Sequence, residues 1–333
     1  MIIHSDITDI DFIQWNELVK KSTTSSFFQT SECYHFYASL SFLKPFVYAV
    51  SEDNQLLAVL CGYLISDGNI LKRFFSRRAI VPGGVLLDPR ISHSTLQKLL
   101  EHTTLQLSQK AIYLEIRNYN DFSAYRPAFE SAGFSYIPHL NFHVATPNAE
   151  AALMQLNTTK RRDVRLSVKE GAEWLETKDS LDIQTYYKLL QELYKTKIKT
   201  PLFPFEFFEK LIHIPQGKLF VVKYKGNVIG GSVCVILPDQ SVYEWFVCGL
   251  DGQTKNVFPS TVATWAAIEY ASKNGFNRFD MMGAGKPDEG YGVREFKSKF
   301  GGELVEHGRY LYICKPRLYL LGKYIVGKLK SKK

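Results

Sequence analysis

Two similar α/β lobes in tandem, each a mixed and mostly antiparallel sheet flanked by helices, is the fold class the sequence predicts. Three observations predict it. The chain has 333 residues, and a prior of roughly 150 residues per domain gives two. Each half reads helix, helix, hairpin, strand, helix, strand, helix, strand, so the order of elements repeats without visible identity between the halves. Glycine and proline punctuate both halves at element ends. The expected boundaries are 1–150 and 151–333, joined near residues 147–157.

In the first half, "DIDFIQWNELVKKS" has helical spacing at Phe12, Trp15, Leu18 and Val19. "FFQTSECYHFYASL" reads as a turn and a helix. "PFVYAVSEDNQLLAVLCGYLIS" is a hairpin about Glu52-Asp53-Asn54. "RFFSRRAIVPGGVLL" is strand-like with a break at Pro82-Gly83-Gly84, and Arg73, Arg77 and Arg78 line a cleft or cover a sheet edge. An amphipathic helix, "HSTLQKLLEHTTLQLSQK", then precedes the strand "AIYLEIRN". A short helix stopped at Gly133 leads to the strand in "FSYIPHLNFHVA".

The second half opens with an extra basic helix in "TTKRRDVRLSVKEGAEWLE", ending at Gly171. Two helices follow, in "SLDIQTYYKLLQELYKT" and "PFEFFEKLIHI". A three-strand meander turns at Lys225-Gly226-Asn227 and Pro238-Asp239-Gln240. "PSTVATWAAIEYASKNG" is a helix started at Pro259 or Ser260 and stopped at Gly275. The strand "NRFDMMGAG" runs into a glycine-rich loop, and "RYLYIC" closes the lobe.

A hydrophobic content of 45% and an aromatic content of 14% support real cores and exclude disorder. Net charge +8 fits an anionic partner without choosing among nucleic acid, phosphorylated substrate and membrane surface. Five scattered cysteines with no C-x-x-C pair exclude a disulfide framework and a zinc site, so no metal and a cytoplasmic location are expected. No basic region followed by an apolar run marks a signal peptide, and no stretch approaches 18 apolar residues, so no membrane span is expected.

The stretch "REFKSKFGGELVEHGRYLY" carries the chemistry. It interleaves Arg294, Lys297 and Lys299 with Phe296 and Phe300 before Gly301-Gly302. Read as a strand, it puts Phe296, Ser298 and Phe300 on one side and Lys297 and Lys299 on the other. Aromatics would then anchor the segment and cations face an anion. The plain alternative is a cationic edge that blunts strand pairing.

"NGFNRFDMMGA" followed by "GVREFKSKFGGE" resembles the signature of the Fem-type peptidoglycan aminoacyltransferases, a strand ending Asp-x-Gly-Gly and then a Phe-Lys-x-x-Phe segment. The resemblance extends through "TTKRRDVRLSVKEGAEW" and "KIKTPLFPFEFFEKL", and covers about residues 10–312. It implies two tandem GNAT-like (acyl-CoA N-acyltransferase-like) lobes. It implies aminoacyl transfer from aminoacyl-tRNA, as co-substrate, to an amine of a peptidoglycan or cell-envelope precursor, UDP- or lipid-linked, with no resident cofactor. No long helical pair is visible, so the arm some members carry for tRNA is not expected.

By resemblance, Lys297 is the cleft lysine that contacts phosphate or the reacting carbonyl, and Phe296 is its aromatic neighbour. A fixed cation there would stabilise the oxyanion of acyl transfer. Asp280 either orients Lys297 or a substrate amine, or caps its turn. Arg294, Lys299, Tyr243 and Trp245 join the candidates for substrate contact. Lys197 aligns where the family often has arginine, which keeps the charge without the bidentate fork. Tyr37 and His35 stand where armless members bind the nucleotide end of the precursor; they either stack on a base or pack a helix. Lys160, Arg161, Arg162 and Arg165 form either a tRNA or phosphate footprint or a solvated helix face. Glu115 and Glu244 are the carboxylates considered for a general base, and none is assigned.

An acetyl-CoA-dependent N-acetyltransferase acting on a sugar or lipid amine is the nearest alternative. Such enzymes cradle pyrophosphate with a glycine-rich loop at a helix start. The corresponding "TKNVFPSTVATW" has no glycine, and Pro259 removes a donor. A non-catalytic binding protein is a further alternative, which would leave "EFKSKFGG" without a purpose. Finally, "KPRLYLLGKYIVGKLKSKK" reads either as a basic amphipathic segment on the inner membrane face or as a docked last helix with a basic end.

Overall fold

The computed structural model describes residues 1–66 and 76–331, with side chains described up to Ile325. The reading of Arg73 falls outside the described residues. The chain forms two compact units, 1–138 together with 307–333, and 139–306.

The first unit begins with β1 (Ile2–His4), α1 (Phe12–Lys21) and α2 (Ser31–Ser39). Asp11 caps α1 by accepting from the amides of Ile13 and Gln14. The expected hairpin is β2 (Lys44–Glu52) and β3 (Gln55–Ile65), turning through Asp53 and Asn54 with positive φ. Next come β4 (Arg78–Gly83), β5 (Leu86–Leu87), α3 (His93–Ser108), β6 (Tyr113–Asn118), α4 (Arg126–Ser131) and β7 (Ser135–Ile137).

The second unit runs from β8 (Leu140–Ala145) through α5 (Ala149–Gln155), α6 (Thr158–Lys169), β9 (Ala172–Glu176), α7 (Ser180–Leu193) and α8 (Phe205–His213). The predicted meander is β10 (Gly217–Tyr224), β11 (Asn227–Leu237) and β12 (Ser241–Gly249). Then follow α9 (Pro259–Lys273), β13 (Arg278–Asp280), α10 (Gly292–Ser298) and β14 (Glu303–Glu306). The chain returns to the first unit as β15 (Arg309–Ile313) and α11 (Pro316–Ser331).

The first sheet has the order β1-β2-β3-β4-β6-β15-β7, with β5 beside β3; the second has the order β14-β8-β13-β12-β11-β10-β9. Among the described residues each sheet contains one parallel pair, β4 with β6 and β12 with β13. That shared feature is the structural form of the repeat in element order.

In the first unit, Leu96, Leu99 and Leu100 of α3 bury against Leu114 and Ile116 of β6, and the rings of Phe129 and Tyr310 stack 3.8 Å apart. In the second, α9 is buried nearly all round and packs Trp265 and Ile268 with Phe279, Phe142 and Phe300. Each fully buried aliphatic or aromatic chain contributes about 2 kcal/mol relative to exposure.

Two expectations are corrected. The division is not at residue 150. β8 pairs with β13 and β14 of the second sheet, and β15 pairs with β6 and β7 of the first. Pairing partners so distant in sequence leave no local signal. Second, the Phe-Lys-x-x-Phe segment is a helical turn, not a strand. Phe296 lies in the helix and Phe300 just past its C-cap Lys299, and their rings meet at 5.1 Å.

Candidate active site

β12 and β13 pair in parallel only from Ser241↔Arg278 to Tyr243↔Asp280, whereas β12 continues to Gly249. Beyond the last pair β13 has ended and β12 runs on. Glu244 of β12 and Met281, the first residue after β13, stand just past the last pair.

Asp280 is fully buried and accepts from Asn141 Nδ2 at 2.7 Å, from the Met282 amide at 2.7 Å, and pairs with His143 Nε2 at 3.1 Å. Burial would raise its pKa, but His143, Arg278 and Asn141 hold it below the usual carboxylate range. The loop after it turns at Met282 (φ 51°), Gly283 (φ 98°) and Gly285 (φ 79°). Its amides are committed inward: Met281 N to Phe142 O, Gly283 N to Asn141 Oδ1 at 2.8 Å, and Ala284 N to Leu140 O at 2.7 Å. This glycine loop therefore does not offer those amides to an anion. Its carbonyl oxygens instead accept from side chains.

α10 supplies the cations that meet those oxygens. Lys297 is buried and donates to Met281 O and, at 2.7 Å, to Gly283 O. Arg294 donates from Nε to Ala284 O at 2.8 Å, from Nη1 to Pro287 O at 3.3 Å, and from Nη2 to Lys286 O. Arg294 is thus a staple for the loop, not a free substrate contact. Burial pushes the Lys297 pKa below the usual lysine range, against the opposing pull of Glu244 and Asp280. Glu244 is buried with its pKa pushed up; its Oε1 accepts from Ser232 Oγ at 3.1 Å, and Oε2 has no hydrogen-bond partner among the described residues. An ammonium has three donors. Two of those on Lys297 hold the loop.

Lys160 is corrected. It is not on the solvent-facing row of α6. It is buried, donates to Thr261 Oγ1 at 2.6 Å and lies over the rings of Phe296 at 4.2 Å and Phe300 at 5.3 Å. Burial lowers its pKa, with Asp163 and Asp251 opposing. Arg162 and Arg165 are exposed and Arg161 is half-buried. With Lys169, Met154, Thr158 and Leu166 these three arginines line an open groove of about 520 Å³.

The start of α9 is occupied by the protein itself. Phe258 N donates to Ser167 Oγ at 3.0 Å, Pro259 has no N–H, and Ser260 donates from both N and Oγ to the Asp251 carboxylate. A carboxylate already fills the place that helix geometry makes attractive to an anion.

The remaining candidates are dispersed. Tyr243 is buried, and Trp245 is half-buried with its ring 5.0 Å from Phe207. Lys197 is exposed on the π-helical turn Tyr194–Ile198, and Lys299 is exposed at the end of α10. In the first unit, Tyr37 is fully buried 4.8 Å from the Tyr63 ring, which is core packing and leaves no face for a base. His35 is exposed beside Phe12. Sequence reasoning missed Asn141, His143, Asp251 and Ser167. The available signal was the alternation Leu140-Asn141-Phe142-His143-Val144, which puts two polar side chains on one face of an otherwise apolar strand.

The second sheet holds the short parallel pair of β12 and β13, linked by the long buried helix α9, and residues 155–298 match the family model described as acetyltransferase (GNAT) domain. The second unit is a GNAT acyltransferase domain. The whole chain has the tandem GNAT fold of FemX, with a TM-score of 0.73, 14% identity, and coverage of 96% of this chain and 99% of that one. L-PGS from Bacillus licheniformis is similar over 94% of this chain and 96% of its own, with a TM-score of 0.56 and 12% identity. A tandem GNAT protein from the clavulanic acid biosynthesis pathway matches over 94% and 98%, with a TM-score of 0.59 and 10% identity. No curated protein matches in sequence.

Proposed function

We propose that this acyltransferase moves an aminoacyl group from aminoacyl-tRNA to an amine of a peptidoglycan or cell-envelope precursor, UDP- or lipid-linked. One observation carries the choice of donor. Coenzyme A needs free amides at the start of α9, and there Pro259, Ser167 and the Asp251 carboxylate take or remove them. A pyrophosphate would meet a carboxylate of its own sign. The likeness to FemX over the whole chain supports the same reading.

The acceptor amine attacks the ester carbonyl, and a tetrahedral oxyanion forms. The third donor of Lys297 serves that oxygen in a buried site, where the interaction is strengthened. Collapse breaks the ester C–O bond and forms the amide. The amine proton ends on the leaving ribose hydroxyl, and Glu244, adjacent to Lys297 and with a raised pKa, is suited to relay it. Asp280 keeps the loop, and through it the lysine, in place.

The tRNA would lie along α6. Arg161, Arg165 and Lys169 recur at i, i+4 and i+8, about 6 Å apart along the axis, and have no acidic partner among the described residues. Arg162 is held by its neighbour Asp163 at 3.3 Å.

N-acetyl transfer from acetyl-CoA is the second reading, favoured by the match to the acetyltransferase domain family. Ligand-dependent melting of wild type and Lys297→Ala separates the two. The ligands are acetyl-CoA, a UDP-linked muropeptide and an aminoacyl-tRNA end mimic. A ligand at 100 times its Kd stabilises by about 2.7 kcal/mol. A shift with the muropeptide or the tRNA mimic, diminished in the variant, is expected. A shift with acetyl-CoA alone sinks the aminoacyl reading.

A further inference from the structure

α11 begins docked on the first unit. Lys315 N donates to Ile112 O at 3.0 Å, and the Tyr319 ring lies 5.6 Å from that of Tyr113. Past that turn the helix shows apolar residues to solvent: Leu320 is 65% exposed, Leu321 46%, Tyr324 59% and Ile325 48%. At i, i+1, i+4 and i+5 these four share one side of the helix. They account for four of the large exposed hydrophobic side chains in a molecule that buries most others.

The charge along this stretch of sequence has one sign. Residues 315–333 contain seven Lys or Arg and no Asp or Glu. Gly322 and Gly327 lie within the helix, and each weakens it by about 1 kcal/mol relative to alanine. The helix therefore gains most from an apolar surface that orders it.

We infer that α11 is a docking surface for an anionic lipid membrane, with Leu320, Leu321, Tyr324 and Ile325 entering the interface and the lysines remaining at headgroup level. Each part of the pattern selects this occupant. A second copy of the chain would bring seven cations against seven. Nucleic acid has no use for a row of exposed leucine and isoleucine. An anionic bilayer satisfies both the apolar row and the charge, because long lysine stems lie along apolar surface while their ammonium groups stay in water. No described helix is long and apolar enough to cross a membrane, so the contact lies in the interface plane.

The test is co-sedimentation of the full chain with vesicles of phosphatidylcholine alone, and with about one third phosphatidylglycerol added. Binding to the anionic vesicles only, falling as salt rises, is expected. The double variant L321E/I325E should bind at least about tenfold more weakly with an unchanged melting temperature, because both residues are exposed. Lys323→Glu, which leaves the apolar row intact, should weaken anionic binding alone. Absence of sedimentation, equal binding to both vesicle types, or binding untouched by L321E/I325E overturns the inference. So does a concentration-dependent dimer that the double variant abolishes, which would make the face a contact between copies.

Discussion

The ammonium of Lys160 stands 4.2 Å from the centroid of the Phe296 ring and donates to Thr261 Oγ1. This contact joins α6, α9 and α10 at one point. It explains why a lysine tolerates burial here: a ring face and a hydroxyl replace part of its water.

Lys160→Ala should lower stability by about 2 kcal/mol, from a lost desolvated cation–π contact and one hydrogen bond. Lys160→Met keeps the packing and should cost about half as much. Urea unfolding of both variants measures the difference; equal losses would mean that only the stem matters.

Lys297→Ala should reduce kcat by about a hundredfold or more, the usual loss for one oxyanion donor. It should also free Met281 O and Gly283 O and destabilise the fold. The pH dependence has a defined sign. The folded pKa is depressed by burial, so the ammonium is lost below the ordinary lysine range and activity falls there as pH rises. Between the folded and the unfolded pKa the unfolded chain holds more protons, so the contribution of this residue to stability rises with pH. A rate profile and a melting series over the same alkaline range should move in opposite directions.

Glu115 is a carboxylate for acid unfolding. It accepts from Arg309 at 2.6 Å and Arg117 at 3.0 Å. Burial alone would raise its pKa, but the two guanidiniums bring it down to about 2. Its contribution, about 3 kcal/mol at 1.4 per pKa unit, is present above the unfolded carboxylate pKa and is lost as pH falls toward 2. Glu115→Gln should flatten that part of the stability curve and lower stability at neutral pH. An acid limb as steep as that of wild type would count against it.

Gly302 and Gly171 both have positive φ, but their surroundings differ. A Cβ on Gly302 would lie 2.5 Å from His143 O, whereas one on Gly171 would meet nothing within 4 Å. Gly171→Ala should cost about 1 kcal/mol of backbone strain. Gly302→Ala should cost at least about twice that, because the added clash forces β14 from β8. Thermal melting of the two variants side by side gives the comparison.

The elements that announced themselves in sequence are those whose signal is local. The meander of β10 to β12, with turns at Lys225-Gly226 and Pro238-Asp239, needs only alternation and turn residues. So does the hairpin at Asp53-Asn54. The helical turn at Phe296 did not, because "FKSKF" fits period two and period four equally well, and only packing beneath Lys160 decides between them. Lys297 was reachable through resemblance. Its partners were not, since backbone carbonyls leave no residue type to read. Lys160 was misplaced because four cations within six residues hide which one turns inward; the buried Asp163 and Val164 among them mark that face only after folding.

β15 has a consequence for how the chain can be divided. The whole second unit is spliced between β7 and β15, and among the described strands β7 pairs with β15 alone. The first unit is therefore discontinuous, and a nick or truncation before Arg309 removes a strand from a sheet nearly two hundred residues upstream. The two lobes are duplicated in pattern but not severable as beads on a string. A fragment ending at residue 306 would hold a complete second sheet and an open first one, so protease sensitivity should appear first in the N-terminal lobe when the C-terminal end is cut.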